Sequence, residues 1–179
     1  CPAITMRSFA HEKSTGTYEA LMTTPVSNLQ IVFSKFLASW IFYGLMWLPL
    51  WGFMVWLGQF FNDPEYLDAG IVGGTALGVM LIGGLFLAIG CLASVATKSQ
   101  LIAAMLALTL EMVLFMLSFV IELLPDQSGW QATLFGHICL FDHMGDFVRG
   151  IINGSHLIFY FTGTGLFLFL TWRWVESRK

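Results

Sequence analysis

The chain has 179 residues, of which 57% are hydrophobic and only 11% charged, and its formal net charge at pH 7 is −3. A soluble domain carries roughly 25% charged residues, so the composition argues against one and for a membrane protein. The slight acidity, with no basic patch, argues against nucleic acid as a partner. Its 3 cysteines (Cys1, Cys91, Cys139) stand too far apart in sequence for a metal-ligand spacing.

The chain opens on Cys1-Pro2, with no initiator methionine and no visible signal peptide. The expectation is a piece whose natural N-terminus lies upstream, so that residues up to Lys13 close a preceding helix. A mature lipoprotein also begins with Cys, but it would put this end outside the cytoplasm, against the charge pattern below. Thr17 then caps a short helix over residues 18–24. Glu19 in its first turn suits the helix dipole. Tyr18, Leu21 and Met22 share a face, and Pro25 ends the helix. Ser27-Asn-Leu-Gln30 reads as a capping box flanked by the staple pair Val26 and Ile31, so the next helix begins near Asn28.

Four apolar runs reach the roughly 20 residues that a spanning helix needs: residues 36–61, 69–96, 101–124 and 157–175. Each must be a helix, since an isolated strand leaves backbone groups unpaired in lipid. Pro49 should kink the first by removing a backbone donor. Gly70, Gly74 and Gly78 recur at spacing four in the second, a small-residue face that lets another helix approach. Thr97-Lys-Ser-Gln100 repeats the capping-box signature ahead of the third, which carries Glu111 near its middle. A carboxyl there is costly. It reads either as a pathway or coupling residue or as a neutral carboxyl hydrogen-bonded to a neighbouring helix, such as the equivalents of Thr109 or Ser118 across an interface.

The segment over residues 125–155 is too long for a turn and too apolar for a free loop. Residues 131–140 are apolar but too short to span. Asp142 is positioned to cap a second short helix over residues 143–152 with Gly154 as its stop, and Asn153 or Ser155 to cap the last span. His137, Asp142, His143 and Asp146 cluster here without zinc-type spacing, so no metal site is expected. No nucleophile elbow, phosphate loop or dinucleotide fingerprint occurs, so the chain is not expected to be an enzyme or to bind a cofactor itself.

Arg7, Lys13, Lys35, Lys98, Arg173, Arg178 and Lys179 fall on one side of four spans. Asp63, Glu65, Asp68, Asp126, Asp142 and Asp146 fall on the other, with Arg149 as its basic residue. By the positive-inside rule both visible ends are cytoplasmic. The fold class is an all-α polytopic membrane bundle of about four spans with a short cytoplasmic helix and outer re-entrant helices. It forms one transmembrane domain over residues 1–179: residues 1–27 hold the end of a helix and the short helix, residues 28–179 the spans and loops.

Residues 2–13 (PAITMRSFAHEK), 14–27 (STGTYEALMTTPVS) and 31–36 (IVFSKF) resemble the cytoplasmic segment of ABC-2 type transporter permeases, nearest to the gliding-motility-type branch. Residues 94–100 (SVATKSQ) and 146–150 (DFVRG) are similar to later stretches of that branch. The resemblance implies a subunit of an ATP-driven transporter, an exporter of the bacterial inner membrane. It would pair with a second permease copy or paralogue amid membrane lipid and be driven by separate ATPase subunits that hold ATP and Mg. It makes the short helix a coupling helix, with Glu12, Tyr18, Glu19, Leu21 and Met22 docking the ATPase. It makes Asp142, Asp146 and Arg149 part of an outer gate. Glu111, Gly70, Gly74 and Gly78 remain candidates for the pathway or an interface. The competing readings are an assembly or anchor subunit without transport, and a proton-coupled carrier built on Glu111. The substrate is not legible.

Overall fold

A computed structural model of the chain describes residues 1–15, 27–61, 69–122 and 139–177. The expected short helix with Tyr18, Glu19, Leu21 and Met22 lies outside the described residues, as do His137 and most of the apolar run over residues 131–140. The described elements are all helices: α1 Pro2–Thr5, α2 Ala10–Thr15, α3 Asn28–Phe61, α4 Ala69–Ala96, α5 Gln100–Glu122, α6 Leu140–Val148 and α7 Gly154–Glu176. Four of them, α3, α4, α5 and α7, are long and apolar enough to cross a membrane.

Local sequence sets the start of α3. The Ser27 N–H donates to Gln30 Oε1 (3.3 Å) and the Gln30 N–H to Ser27 Oγ (3.4 Å), the reciprocal bonds of a capping box. The helix then runs 34 residues, through Pro49, without interruption. That is about 51 Å, against about 30 Å of hydrocarbon, so one end of it extends past the apolar layer. The second expected box does not form. The Thr97 hydroxyl turns back to Ala93 O, and the Gln100 amide donates to His11 Nδ1 (2.8 Å). Ser99 O instead accepts the Ala103 N–H at the start of α5 (3.0 Å). Residues 97–99 are too short a turn to free Thr97 from the end of α4, and a distant histidine competes for Gln100.

The core sits around α4, whose apolar window is 61% buried against 22% for α3, 17% for α5 and 11% for α7. Helix α4 touches α1, α3, α5, α6 and α7. It runs antiparallel to α3: Trp40 Nε1 donates to Met80 O (3.1 Å), the Tyr43 hydroxyl donates to Val79 O (3.4 Å), Phe36 meets Leu87 and Cys91, and Val32 clusters with Val95. It runs parallel to α7, where Tyr160 packs with Leu85 and Ile89 and Val175 with Val95. Helices gain no hydrophobic drive against each other in lipid, so close packing decides which faces meet. Glycine supplies that closeness: a Cβ on Gly83 would lie 2.2 Å from the Tyr43 ring.

The two ends of the bundle differ in charge. Arg7, Lys13, Lys35, Lys98 and Arg173 gather where α3 and α5 start and α4 and α7 end. Helix α6, with Asp142, Asp146 and Arg149, lies at the opposite end, against the start of α4.

Candidate functional site

At the basic end, residues 1–15 do not continue as one helix. Helix α1 stops at Thr5, and the chain turns through residues 6–9 before α2 begins. A broken helix exposes backbone donors and acceptors that must find partners. Spanning helices provide them. The hydroxyl of Ser94, on α4, accepts the backbone N–H groups of Phe9 (3.0 Å) and Ala10 (3.1 Å) and donates to Met6 O (3.4 Å). The Lys35 ammonium, on α3, donates to Ser8 O, pairs with Glu12 and lies 4.6 Å from the centre of the Phe9 ring. Lys13 donates to Val95 O, and α5 contributes the Gln100–His11 bond.

The fit beneath this joint is close. Thr5, Phe9, Ala10 and Ser94 are fully buried. Gly90, one turn before Ser94 on the same face of α4, leaves room for Thr5, since a Cβ there would lie 2.0 Å from Thr5 Oγ1 and 2.8 Å from Thr5 Cβ. The joint thus ties the stretch just ahead of residues 16–26 to the ends of α3, α4 and α5.

At the acidic end, α6 starts at Leu140 and stops at Val148. Both limits differ from the expectation. The Ser118 hydroxyl, on α5, accepts the Leu140 N–H (3.2 Å), so the helix starts before Asp142 and that residue lies in its first turn, where a carboxylate favours the dipole. Gly150, with φ +74°, ends it four residues before Gly154. Leu140, His143 and Phe147 form the buried face. Phe147 presses on bare α4 backbone: a Cβ on Gly74 would lie 2.5 Å from Phe147 O, and one on Gly78 2.9 Å from its ring. Gly150 approaches Gly70 in the same way. The glycine stripe therefore receives α6.

Asp146 Oδ2 accepts bonds from His156 Nε2 (2.9 Å) and Asn153 Nδ2 (3.0 Å), linking α6 to the start of α7. The His156 bond, with that of Asn153, holds the Asp146 carboxyl below its usual range. The Asn153 side chain is thereby drawn away from capping α7, whose first turn is anchored on Asn153 O instead. The His156 ring packs 4.0 Å, centre to centre, from that of His143. Burial pushes the Cys139 thiol up, so it is not a reactive thiolate. Arg149 is exposed at the end of α6.

Glu111 lies midway along α5, and its Oε1 has no hydrogen-bond partner among the described residues. Within the chain, Thr109 donates to Met105 O, and Ser118 donates to Leu114 O while capping α6. Among the described residues no three His, Cys, Asp or Glu side chains come close enough to hold a metal ion. The structure thus brings Asp146 and the three glycines into one assembly at the acidic end and places Glu12 in the joint at the basic end. Glu111 stands apart from both.

The model of the ABC-2 family transporter proteins matches residues 1–173. The chain belongs to this family. No curated protein and no solved structure matches it. As an ABC-2 family protein, the chain is a multi-pass permease component of an ABC transporter, a class that works with an ABC ATPase and is not itself the enzyme.

Several residues of the permease's two joints carry no signal that sequence reading used. Ser94 opens the stretch over residues 94–100 that carries the family likeness, yet by itself it reads as a small residue in an apolar run. Phe147 lies in the likeness over residues 146–150 and Ser118 in a plain apolar run, but neither role is marked locally, because their partners lie 22 residues or more away or on another helix.

Proposed function

We propose that this permease lines the path of an ATP-driven exporter in a bacterial inner membrane, paired with a second copy or a paralogue, its basic end facing the cytoplasm. Residues 18–24 dock a separate ATPase through Tyr18, Glu19, Leu21 and Met22. Glu12 contributes from within the joint, through Lys35. The observation that carries the reading is the joint itself. Residues 1–15 and Ser27 bracket the docking stretch, and hydrogen bonds fasten residues 1–15 to three helix ends. A displacement of the docked stretch would then pass into α4, which touches each of the other spans. The basic residues gathered at that end support the orientation by the positive-inside rule, and the likeness of residues 94–100 and 146–150 supports the gliding-motility-type branch. The outer assembly of Asp142, Asp146 and Arg149 serves as the closed outer end of the path.

The test is copurification from native membranes. The tagged permease should bring down an ATPase, and Tyr18→Ala with Leu21→Asp should release it while the permease stays in the membrane. An ATPase that stays bound to the double variant would sink the docking assignment.

A further inference from the structure

We propose that Ser94 is the positioning residue through which movement of the docking segment is passed to the far end of the bundle. The proposal rests on the docking reading above and adds to it the side chain that carries the motion. A helix is normally capped by its own flanking residue. Here the cap of α2 comes from 84 and 85 positions away, as one oxygen that accepts the N–H groups of Phe9 (3.0 Å) and Ala10 (3.1 Å). That oxygen also donates to Met6 O across the break (3.4 Å), so both sides of the interruption are tied to one point on α4.

Packing alone would hold α2 in place, but contacts between apolar side chains are not directional and tolerate sliding. Bonds to two successive amides fix the position and the angle of α2 relative to α4. The remaining contacts support this point from other helices: Lys35 from α3 holds Ser8 O, and Gln100 from α5 holds His11. From Ser94 the same helix runs the length of the bundle to Gly78, Gly74 and Gly70, where α6 is seated. Helix α4 is thus a rod with the stretch just ahead of the docking segment bonded at one end and α6 seated at the other. Removing one oxygen at Ser94 leaves the rod and both seats intact but frees the first of them to slip.

The experiment uses the permease with its copurified ATPase, and compares wild type, Ser94→Ala and Ser94→Thr by hydrogen exchange, with and without a magnesium-bound, non-hydrolysable ATP analogue. In Ser94→Ala the amides of Phe9 and Ala10 should exchange about tenfold faster, equivalent to ~1.4 kcal/mol. Exchange in α7 should not change, and the ATPase should stay bound. In wild type the analogue should alter exchange over residues 140–150. Ser94→Ala should lose most of that response, and Ser94→Thr, which keeps the hydroxyl, should restore it. If Ser94→Ala yields no folded protein, Ser94→Cys fills nearly the same volume with a weak acceptor and should show the same loss. Unchanged exchange at Phe9 and Ala10, or a full response over residues 140–150 in the Ala variant, would overturn the proposal. A wild-type permease that binds no ATPase would overturn the docking reading, whereas one that holds the ATPase but shows no response over residues 140–150 would overturn this proposal alone.

Discussion

Helices α2 and α6 occupy opposite ends of α4, and neither supplies its own amino-terminal cap. Each takes a hydroxyl from a spanning helix: Ser94 from α4 for α2, Ser118 from α5 for α6. Beyond that shared device the two are held differently. The inner helix is fixed by directional bonds from Ser94, Lys35, Lys13 and Gln100. The outer helix is fixed mainly by shape, with Phe147 against Gly74 and Gly78, and one carboxylate linking it to α7. Directional bonds preserve an angle under load, whereas a shape fit resists compression but yields to sliding. On the proposed docking reading, the inner joint therefore suits the transmission of a movement, and the outer seat suits the opening and closing proposed for it.

The strongest way to break this contrast is to fill the outer seat. Gly74→Leu would drive a side chain into the Phe147 carbonyl, which as backbone cannot swing aside. Overpacking of this kind costs about 1–3 kcal/mol or more, and should appear as a clear fall in the thermal midpoint of the detergent-solubilised permease. Gly73→Leu, where a Cβ meets nothing within 4 Å, is the matched control and should leave the midpoint near wild type. Equal effects at the two positions would refute a shape-fitted outer seat.

The pair of serines, with effects of comparable size, sets the two ends side by side. Ser94→Ala abandons two buried backbone N–H groups, and Ser118→Ala abandons one. An unsatisfied buried donor costs about 1–3 kcal/mol, so the inner variant should lower chemical-denaturation stability by roughly twice as much as the outer. A larger loss at Ser118 would reverse the ranking of the two ends.

The smallest effect belongs to Asp146→Ala. The carboxylate is partly solvated, and exposed pairs contribute about 0–1 kcal/mol. Its folded pKa lies below the usual value because of the His156 bond, so its contribution is complete above that value and fades as pH falls through the folded pKa. Hydrogen exchange over residues 140–150, once corrected for intrinsic rates, should therefore rise as pH falls below the ordinary carboxylate value of about 3.9. The Ala variant should lack that step.

How much of this was legible depends on how local each cause is. The spans were readable because a long apolar run has one solution in lipid, and α4 covers residues 69–96 as its composition requires. The Ser27–Gln30 box was readable because its two partners lie three positions apart. The similar Thr97–Gln100 pattern misled because His11, 89 positions away, takes the Gln100 side chain. Asp142 likewise looked like a helix cap until a hydroxyl from another helix moved the start of α6 forward. The glycine stripe announced a close partner without naming it, since what meets Gly74 is set by the return of α6 rather than by any neighbouring residue.

The claim that the inner joint moves as one body with α4 is tested most directly by hydrogen exchange at the Phe9 and Ala10 amides in the assembled transporter, with and without a bound ATP analogue. If the joint transmits motion, both amides stay protected in the two states while exchange over residues 140–150 changes. If instead Phe9 and Ala10 lose protection when the analogue binds, the bonds to Ser94 open during the cycle and the joint is a hinge rather than a clamp.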